Sequence, residues 1–157
     1  MSDIINVGIS DFKICRAPDK IMTVALGSCV GVVLYSHLSK VCGMIHIMMP
    51  ENPGNDKNIY KYADSGISSM VDELSKNGVR RATLMAKVCG GARMFEISNE
   101  NMAIGDRNVE AVEKILKKFR IEVTASDTGG SKSRTITFDP LTRELTVKIP
   151  GNDKYII

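Results

Sequence analysis

Cys29 and His46 are the two residues of this chain whose types and surroundings could carry acyl-transfer chemistry. Cys29 follows a Gly27-Ser28 step between the apolar runs Thr23 to Leu26 and Val30 to Tyr35. A turn there exposes a side chain and leaves backbone N–H groups free for a developing oxyanion. His46 stands in the run Gly-Met-Ile-His-Ile-Met-Met-Pro and is the only histidine within an apolar run, because His37 falls in a polar turn. A thiol with an imidazole base is the nucleophile pairing of cysteine hydrolases. Each residue also has a plainer reading: a buried thiol often serves packing, and a mid-strand imidazole is often a core histidine with its hydrogen bonds satisfied. On the residues alone both readings stay open. Cys15, Cys42 and Cys89 lie in apolar runs without such neighbours and read as packing thiols. Zinc bound by Cys29, His37, Cys42 and His46 would have suitable donors but poor spacing, since structural zinc sites draw ligands in close pairs from knuckles.

Positioning such a pair requires a folded scaffold, and the composition supplies one. At 157 residues and 43% hydrophobic content, one globular domain over residues 1–157 is expected. The formal charge of +3 is spread among acids and bases rather than gathered in a block, which disfavours nucleic acid as a partner. No apolar stretch approaches the ~20 residues that cross a bilayer, and the N-terminus does not read as a leader, so a cytoplasmic protein without membrane insertion is expected. Four cysteines without a Cys-x-x-Cys pair argue for reduced thiols rather than a disulfide scaffold.

The elements follow from periodicity. Ile5 to Arg16 reads as one strand or two short ones, interrupted at Ser10 and Asp11, and Ala17 to Lys20 as a turn. Strands are expected at Ile21 to Leu26, from Cys29 or Val30 to Tyr35, and at Val41 to Met49, the last two joined by a polar hairpin loop. In the third of these, Cys42, Met44, His46 and Met48 share one face. Pro50 to Asn58 is a loop. Tyr62, Ala63, Ile67, Met70, Val71 and Leu74 recur at helical spacing and Asn77-Gly78 ends the helix. Ala82 to Val88 reads as a buried strand, so a βαβ crossover and a partly parallel sheet are expected. Cys89 to Phe95 reads as a glycine-bearing loop. A second helix follows Ile104, with Asp106 as its expected N-cap and Val109, Val112, Ile115, Leu116 and Phe119 on one face. Ile121 to Ser126 is a strand, Arg134 to Phe138 with Glu144 to Ile149 a C-terminal β-hairpin, and the tail after Pro150 peripheral. The fold class is α/β: a mixed sheet, two main helices and a C-terminal hairpin.

The run Thr-Val-Ala-Leu-Gly-Ser-Cys-Val, the later Gly-Met-Ile-His-Ile-Met-Met-Pro and then Lys-Tyr-Ala-Asp resemble the CheD family of bacterial chemotaxis, the chemoreceptor glutamine deamidases. Gly-Gly-Ala-Arg-Met-Phe from Gly90, Ile-Gly-Asp-Arg-Asn-Val from Ile104 and Asp-Thr-Gly-Gly from Asp127 extend the resemblance in the same order over nearly the whole chain. One departure is visible: Ser133 precedes Arg134 where the family usually has glycine.

The resemblance implies a layered fold similar to the toxin-type cysteine deamidases. It implies hydrolysis of glutamine side chains to glutamate on the cytoplasmic helices of chemoreceptors, with Cys29 as nucleophile, His46 as general base and Thr23 orienting the histidine. The Cys29 N–H, together with the Ser28 hydroxyl, is the candidate oxyanion donor, although Ser28 reads equally well as a turn residue. A hydroxyl on a neighbouring strand, about 4.8 Å away, could reach the imidazole and fix its tautomer. The imidazole is in turn expected to lower the thiol pKa. No cofactor or metal is needed. A CheC-type phosphatase of phosphorylated CheY is the second implied partner, and an interaction protein regulating that phosphatase is the alternative function. Amidase, transglutaminase or peptidase action would use the same residues.

Overall fold

The computed structural model describes residues 2–94 and 103–157. Phe95, the last residue of the glycine-bearing loop expected after Cys89, lies outside them. Ten strands and two α-helices are found among the described residues. In chain order the strands are β1 (Ile4–Asn6), β2 (Phe12–Arg16), β3 (Lys20–Leu26), β4 (Val30–Ser36), β5 (Val41–Ile47), β6 (Leu84–Gly90), β7 (Glu122–Thr128), β8 (Arg134–Asp139), β9 (Glu144–Lys148) and β10 (Tyr155–Ile156). The helices are α1 (Ala63–Lys76), between β5 and β6, and α2 (Ile104–Lys118), between β6 and β7.

The strands form two five-stranded sheets, β1-β3-β8-β9-β10 and β2-β5-β4-β6-β7. Both are mixed: β1 pairs parallel with β3 and β6 with β7, and the remaining pairs are antiparallel. The expected crossover is present in an interleaved form. β5 and β6 are both antiparallel to β4, hence parallel to one another, and β4 lies between them.

Burial explains the layering. Every residue of β4 is buried, because both faces of that strand are covered. Val30, Val32 and Leu34 join Ile67, Met70, Leu74, Val112 and Leu116 in a core between the second sheet and the helices. Val33 and Tyr35 instead join Ile21, Leu26, Met44, Ile136 and Phe138 in a core between the two sheets. The order of layers is therefore helices, sheet, sheet. Burying each such large apolar side chain contributes about 1.5–3 kcal/mol.

The interruption at Ser10 and Asp11 is where the chain passes from the first sheet to the second. Ser10 takes the left-handed conformation, with φ 59°. Its N–H donates to the His46 carbonyl, and the His46 N–H donates to the Asp11 carbonyl. One local expectation is corrected, and the peripheral tail gains definition. Asp106 is not the N-cap of α2, which begins after Ala103; it lies in the first turn, where a carboxylate favours the helix dipole, and pairs with Arg93 at 2.7 Å. The tail forms β10 at the edge of the first sheet, and Leu145 and Ile157 exchange backbone hydrogen bonds. Ser133 fits its position without strain, because the left-handed residues of its loop are Gly129 and Gly130, at φ 82° and 70°.

Candidate active site

His46 is on β5 with its side chain toward the other sheet, on the face it shares with Cys42 and Met44. Thr23 is on β3, which belongs to that other sheet. The Thr23 Oγ1 and His46 Nδ1 are 2.7 Å apart, and both residues are 1% exposed. The contact therefore crosses from sheet to sheet, not between adjacent strands of one sheet as the sequence suggested. Stacked sheets normally stand about 10 Å apart, so two side chains must meet across the gap.

The bond also has a direction. The Thr23 hydroxyl donates its one hydrogen to the Val7 carbonyl at 2.7 Å. Its oxygen is then left to accept, so Nδ1 of His46 carries the proton and Nε2 presents a lone pair. Among the described residues Nε2 has no hydrogen-bond partner although it is buried. An unpaired buried acceptor is costly in a folded chain and is the form a general base takes before it receives a proton.

Cys29 immediately precedes β4. In the β4–β5 pairing Val30 faces Ile47 and Gly31 faces His46. Continuing that register by one step sets Cys29 opposite Met48 and diagonal to His46. Diagonal neighbours are about 7–8 Å apart at Cα, within reach of longer side chains. Cys29 also packs against the core between the sheets, so it is on the same side as His46. Gly31 lies between them without a side chain, and a Cβ there would come within 2.8 Å of Ile136 Cδ1 and 2.9 Å of Leu26 Cδ1.

The turn that holds Cys29 is fastened at three successive carbonyls. The Gly27 carbonyl accepts from the Ala92 N–H, the Cys29 carbonyl from the Gly91 N–H, and the Ser28 carbonyl from the Asn108 side chain. Among the described residues the N–H groups of Ser28 and Cys29 and the Ser28 hydroxyl make no hydrogen bond. Carbonyls tied inward leave these donors available at the half-buried mouth of the turn. Next to the turn, Arg134 on β8 is 3.1 Å from Asp127 on β7, and its guanidinium also reaches the Gly90 carbonyl. This ion pair, buried on the Arg134 side and half-buried at Asp127, ties the two sheets together.

Burial sets the protonation state. It pushes the Cys29 thiol up and the His46 imidazole down from their ordinary ranges. The expected lowering of the thiol is thus corrected: burial disfavours both the thiolate of Cys29 and the imidazolium of His46. The other thiols differ. Cys89 is fully buried and pushed up to about 12, chiefly by burial, and Cys15 and Cys42 face each other across β2 and β5. The four-ligand zinc set is not assembled, because Cys29 and His37 flank opposite ends of β4.

Asn108 and the Val7 carbonyl were not singled out from the sequence. Asn108 did leave a signal, since it is a polar residue on the buried stripe of α2 that also carries Gly105, Val112 and Leu116.

A thiol and an uncharged imidazole share the end of a sheet, with the base held by a threonine from a second sheet and free N–H donors at the thiol. Such a constellation holds the groups that a cysteine-dependent acyl transfer would use, on a layered α/β fold. The family model for CheD, described as chemotactic sensory transduction, matches residues 48–149. The chain is 46% identical to the probable chemoreceptor glutamine deamidase CheD of Syntrophomonas wolfei, over 100% of both chains. It is 44% identical to the chemoreceptor glutamine deamidase CheD of Halalkalibacterium halodurans, over 94% of each. With the Bacillus licheniformis protein of the same description it shares 45% identity, over 94% of this chain and 90% of that one. This chain belongs to the CheD family. The first of these relatives also spans the segment before residue 48, which holds Thr23, Cys29 and His46.

Proposed function

We infer that this protein is a chemoreceptor glutamine deamidase, hydrolysing glutamine side chains to glutamate, and that Cys29, His46 and Thr23 carry the reaction. Near-complete coverage by relatives of that description supports the activity. The observation that carries the residue roles is the Val7–Thr23–His46 chain of hydrogen bonds, which leaves Nε2 with a free lone pair on the strand next to the Cys29 turn.

The steps follow from that tautomer. Nε2 takes the Cys29 proton as the sulfur attacks the carboxamide carbon, and the tetrahedral oxyanion is held by the Cys29 N–H with the Ser28 hydroxyl beside it. The imidazolium returns its proton to the departing nitrogen, releasing ammonia and leaving a thioester. Nε2 then takes a proton from water, which attacks the thioester carbon. Cleavage of the C–S bond frees glutamate and restores the thiol. Thr23 is a weaker partner for imidazolium than a carboxylate would be, which suits a modest turnover rate.

The mouth of the same cleft is our candidate docking place for the CheC-type phosphatase implied by the sequence resemblance. Competition between the phosphatase and a receptor fragment for the protein tests this, and simultaneous binding would place the phosphatase elsewhere.

The activity is tested by mass spectrometry of a purified chemoreceptor cytoplasmic fragment after incubation with the unmodified protein, Cys29→Ala and His46→Ala. Conversion of glutamine to glutamate by the first alone supports the reading. Equal conversion by either variant refutes the assigned roles.

A further inference from the structure

Asn108 is wholly buried on α2, and its one Nδ2 atom donates to the Ser28 carbonyl and to the Met48 carbonyl, each at 2.9 Å. Ser28 immediately precedes the proposed nucleophile, and Met48 lies two residues beyond the proposed base. We infer that Asn108 is a positioning residue of the deamidase reaction: by bridging these two carbonyls it fixes the spacing between Cys29 and His46. The inference rests on the reading of Cys29 and His46 given above.

Three observations converge on this role. First, a bridge of this form needs two divergent N–H donors on a single uncharged atom, which only Asn and Gln side chains offer. Gln is longer by one methylene. Second, α2 approaches the turn unusually closely. A Cβ at Gly105, one helical turn before Asn108 on the same face, would stand 2.7 Å from the Gly91 carbonyl oxygen. The Gly91 and Ala92 N–H groups are those that hold the Cys29 and Gly27 carbonyls. The helix is thus seated on the strap that fastens the nucleophile turn, and Asn108 adds a link from that helix to Met48, just past the strand of the base. Third, the arrangement is poor for stability alone. Asn is a weak helix former, and among the described residues its buried Oδ1 has no partner. An apolar residue would suit a purely structural position on this stripe better.

The orientation of the amide is settled by its partners. Both neighbours are carbonyl oxygens, which accept only, so the nitrogen must face them. His46 lies within the β4–β5 ladder, opposite Gly31, but the pairing ends at Val30 and Ile47, so no β4–β5 ladder hydrogen bond holds Cys29 and Met48, the two residues just past that point. Asn108 closes the open end of the pair. Small displacements of reacting groups reduce rates steeply, by as much as about a hundredfold for 1 Å.

The test compares the unmodified protein with Asn108→Leu, which keeps the volume and removes both donors, and with His46→Ala. Deamidation of a receptor fragment gives kcat and KM, thermal melting reports folding, and the rate of Cys29 alkylation by iodoacetamide is followed against pH. Asn108→Leu is expected to melt cooperatively and to lose roughly 10- to 100-fold in kcat, with KM within about twofold. Its alkylation profile should lose the pH step that His46 gives the unmodified protein. Retention of kcat within about threefold, or a loss that merely follows the unfolded fraction, overturns the inference. If His46→Ala leaves the alkylation profile of the unmodified protein unchanged, the thiol–imidazole reading itself fails and this inference falls with it. Should Asn108→Leu not fold, nitrogen-edited NMR of the unmodified protein decides. Slow exchange of the Asn108 amide protons, with a shift on alkylation of Cys29, supports the bridge; fast exchange or unshifted signals overturn it.

Discussion

The Thr23 hydroxyl gives its hydrogen to the Val7 carbonyl and therefore accepts from Nδ1 of His46, both at 2.7 Å. One threonine thus fixes the tautomer of an imidazole on the opposite sheet. Replacing it with valine keeps the shape and strands a buried ring N–H, at a cost of about 1–3 kcal/mol. If that cost is expressed in the reaction, kcat for Thr23→Val falls roughly 5- to 150-fold while KM changes little. Thr23→Ser retains the hydroxyl and should recover most of the rate. Steady-state kinetics on a receptor fragment check both variants, and an unimpaired Thr23→Val would remove Thr23 from the site.

The acid limb of kcat/KM should have its midpoint below the ordinary imidazole value of about 6.5, because burial holds His46 in its neutral form. Stability has the matching sign. The folded imidazole binds its proton less readily than the unfolded chain, so this contribution is complete above about pH 6.5 and lost as pH falls through the lowered folded value. Cys29 acts at the other end. Its raised thiol contributes stability that is complete below the ordinary thiol range and lost as pH rises through the folded value. A pH series of denaturant melts, with and without His46→Ala, separates the two. A midpoint of kcat/KM at or above 6.5 would contradict this account of the base.

Thiol counting with a chromogenic disulfide in the native state should show Cys29 reacting first. Cys15, Cys42 and Cys89 are 0–1% exposed, whereas Cys29 is half-buried. The remaining three should react only as the chain unfolds in denaturant, and Cys29→Ala should abolish the early phase. Early labelling of Cys89 in the native protein would contradict its burial.

Much of this arrangement was legible in the residues, and the unread part has a physical cause. The strands from Lys20 to Ile47, both helices and the C-terminal hairpin follow from local periodicity, which depends on near neighbours alone. Cys29 stood out by its Gly-Ser turn and His46 by its apolar run. What periodicity does not encode is sheet membership. β3 and β4 are adjacent in sequence, yet they lie in different sheets, and β4 reads as a continuous apolar run because two separate cores cover it. The Thr23–His46 contact depends on that stacking, so its true path across the layers could not be read from spacing. The same holds for Asn108, whose partners are 80 and 60 residues away.

Gly31 leaves no room for a side chain between the sheets beside the site. Its Cβ would come within 2.8 Å of Ile136 Cδ1 while facing His46 across the ladder. Gly31→Val is therefore expected to cost about 1–3 kcal/mol through overpacking. It should also slow the reaction by displacing His46 from Thr23. Chemical denaturation and kinetics on the same preparation check the two effects, and a variant as stable and active as the unmodified protein would show that the gap tolerates a side chain.

The central claim is that the Cys29 sulfur becomes acylated by the receptor glutamine. A single turnover with a receptor fragment, quenched in acid and mapped by peptide mass spectrometry, tests it most directly. The account predicts the fragment joined through a hydroxylamine-labile thioester to the peptide containing Cys29 in the unmodified protein, with no such adduct in Cys29→Ala or His46→Ala. Ammonia released with no adduct at Cys29, or an adduct at another thiol, would contradict it.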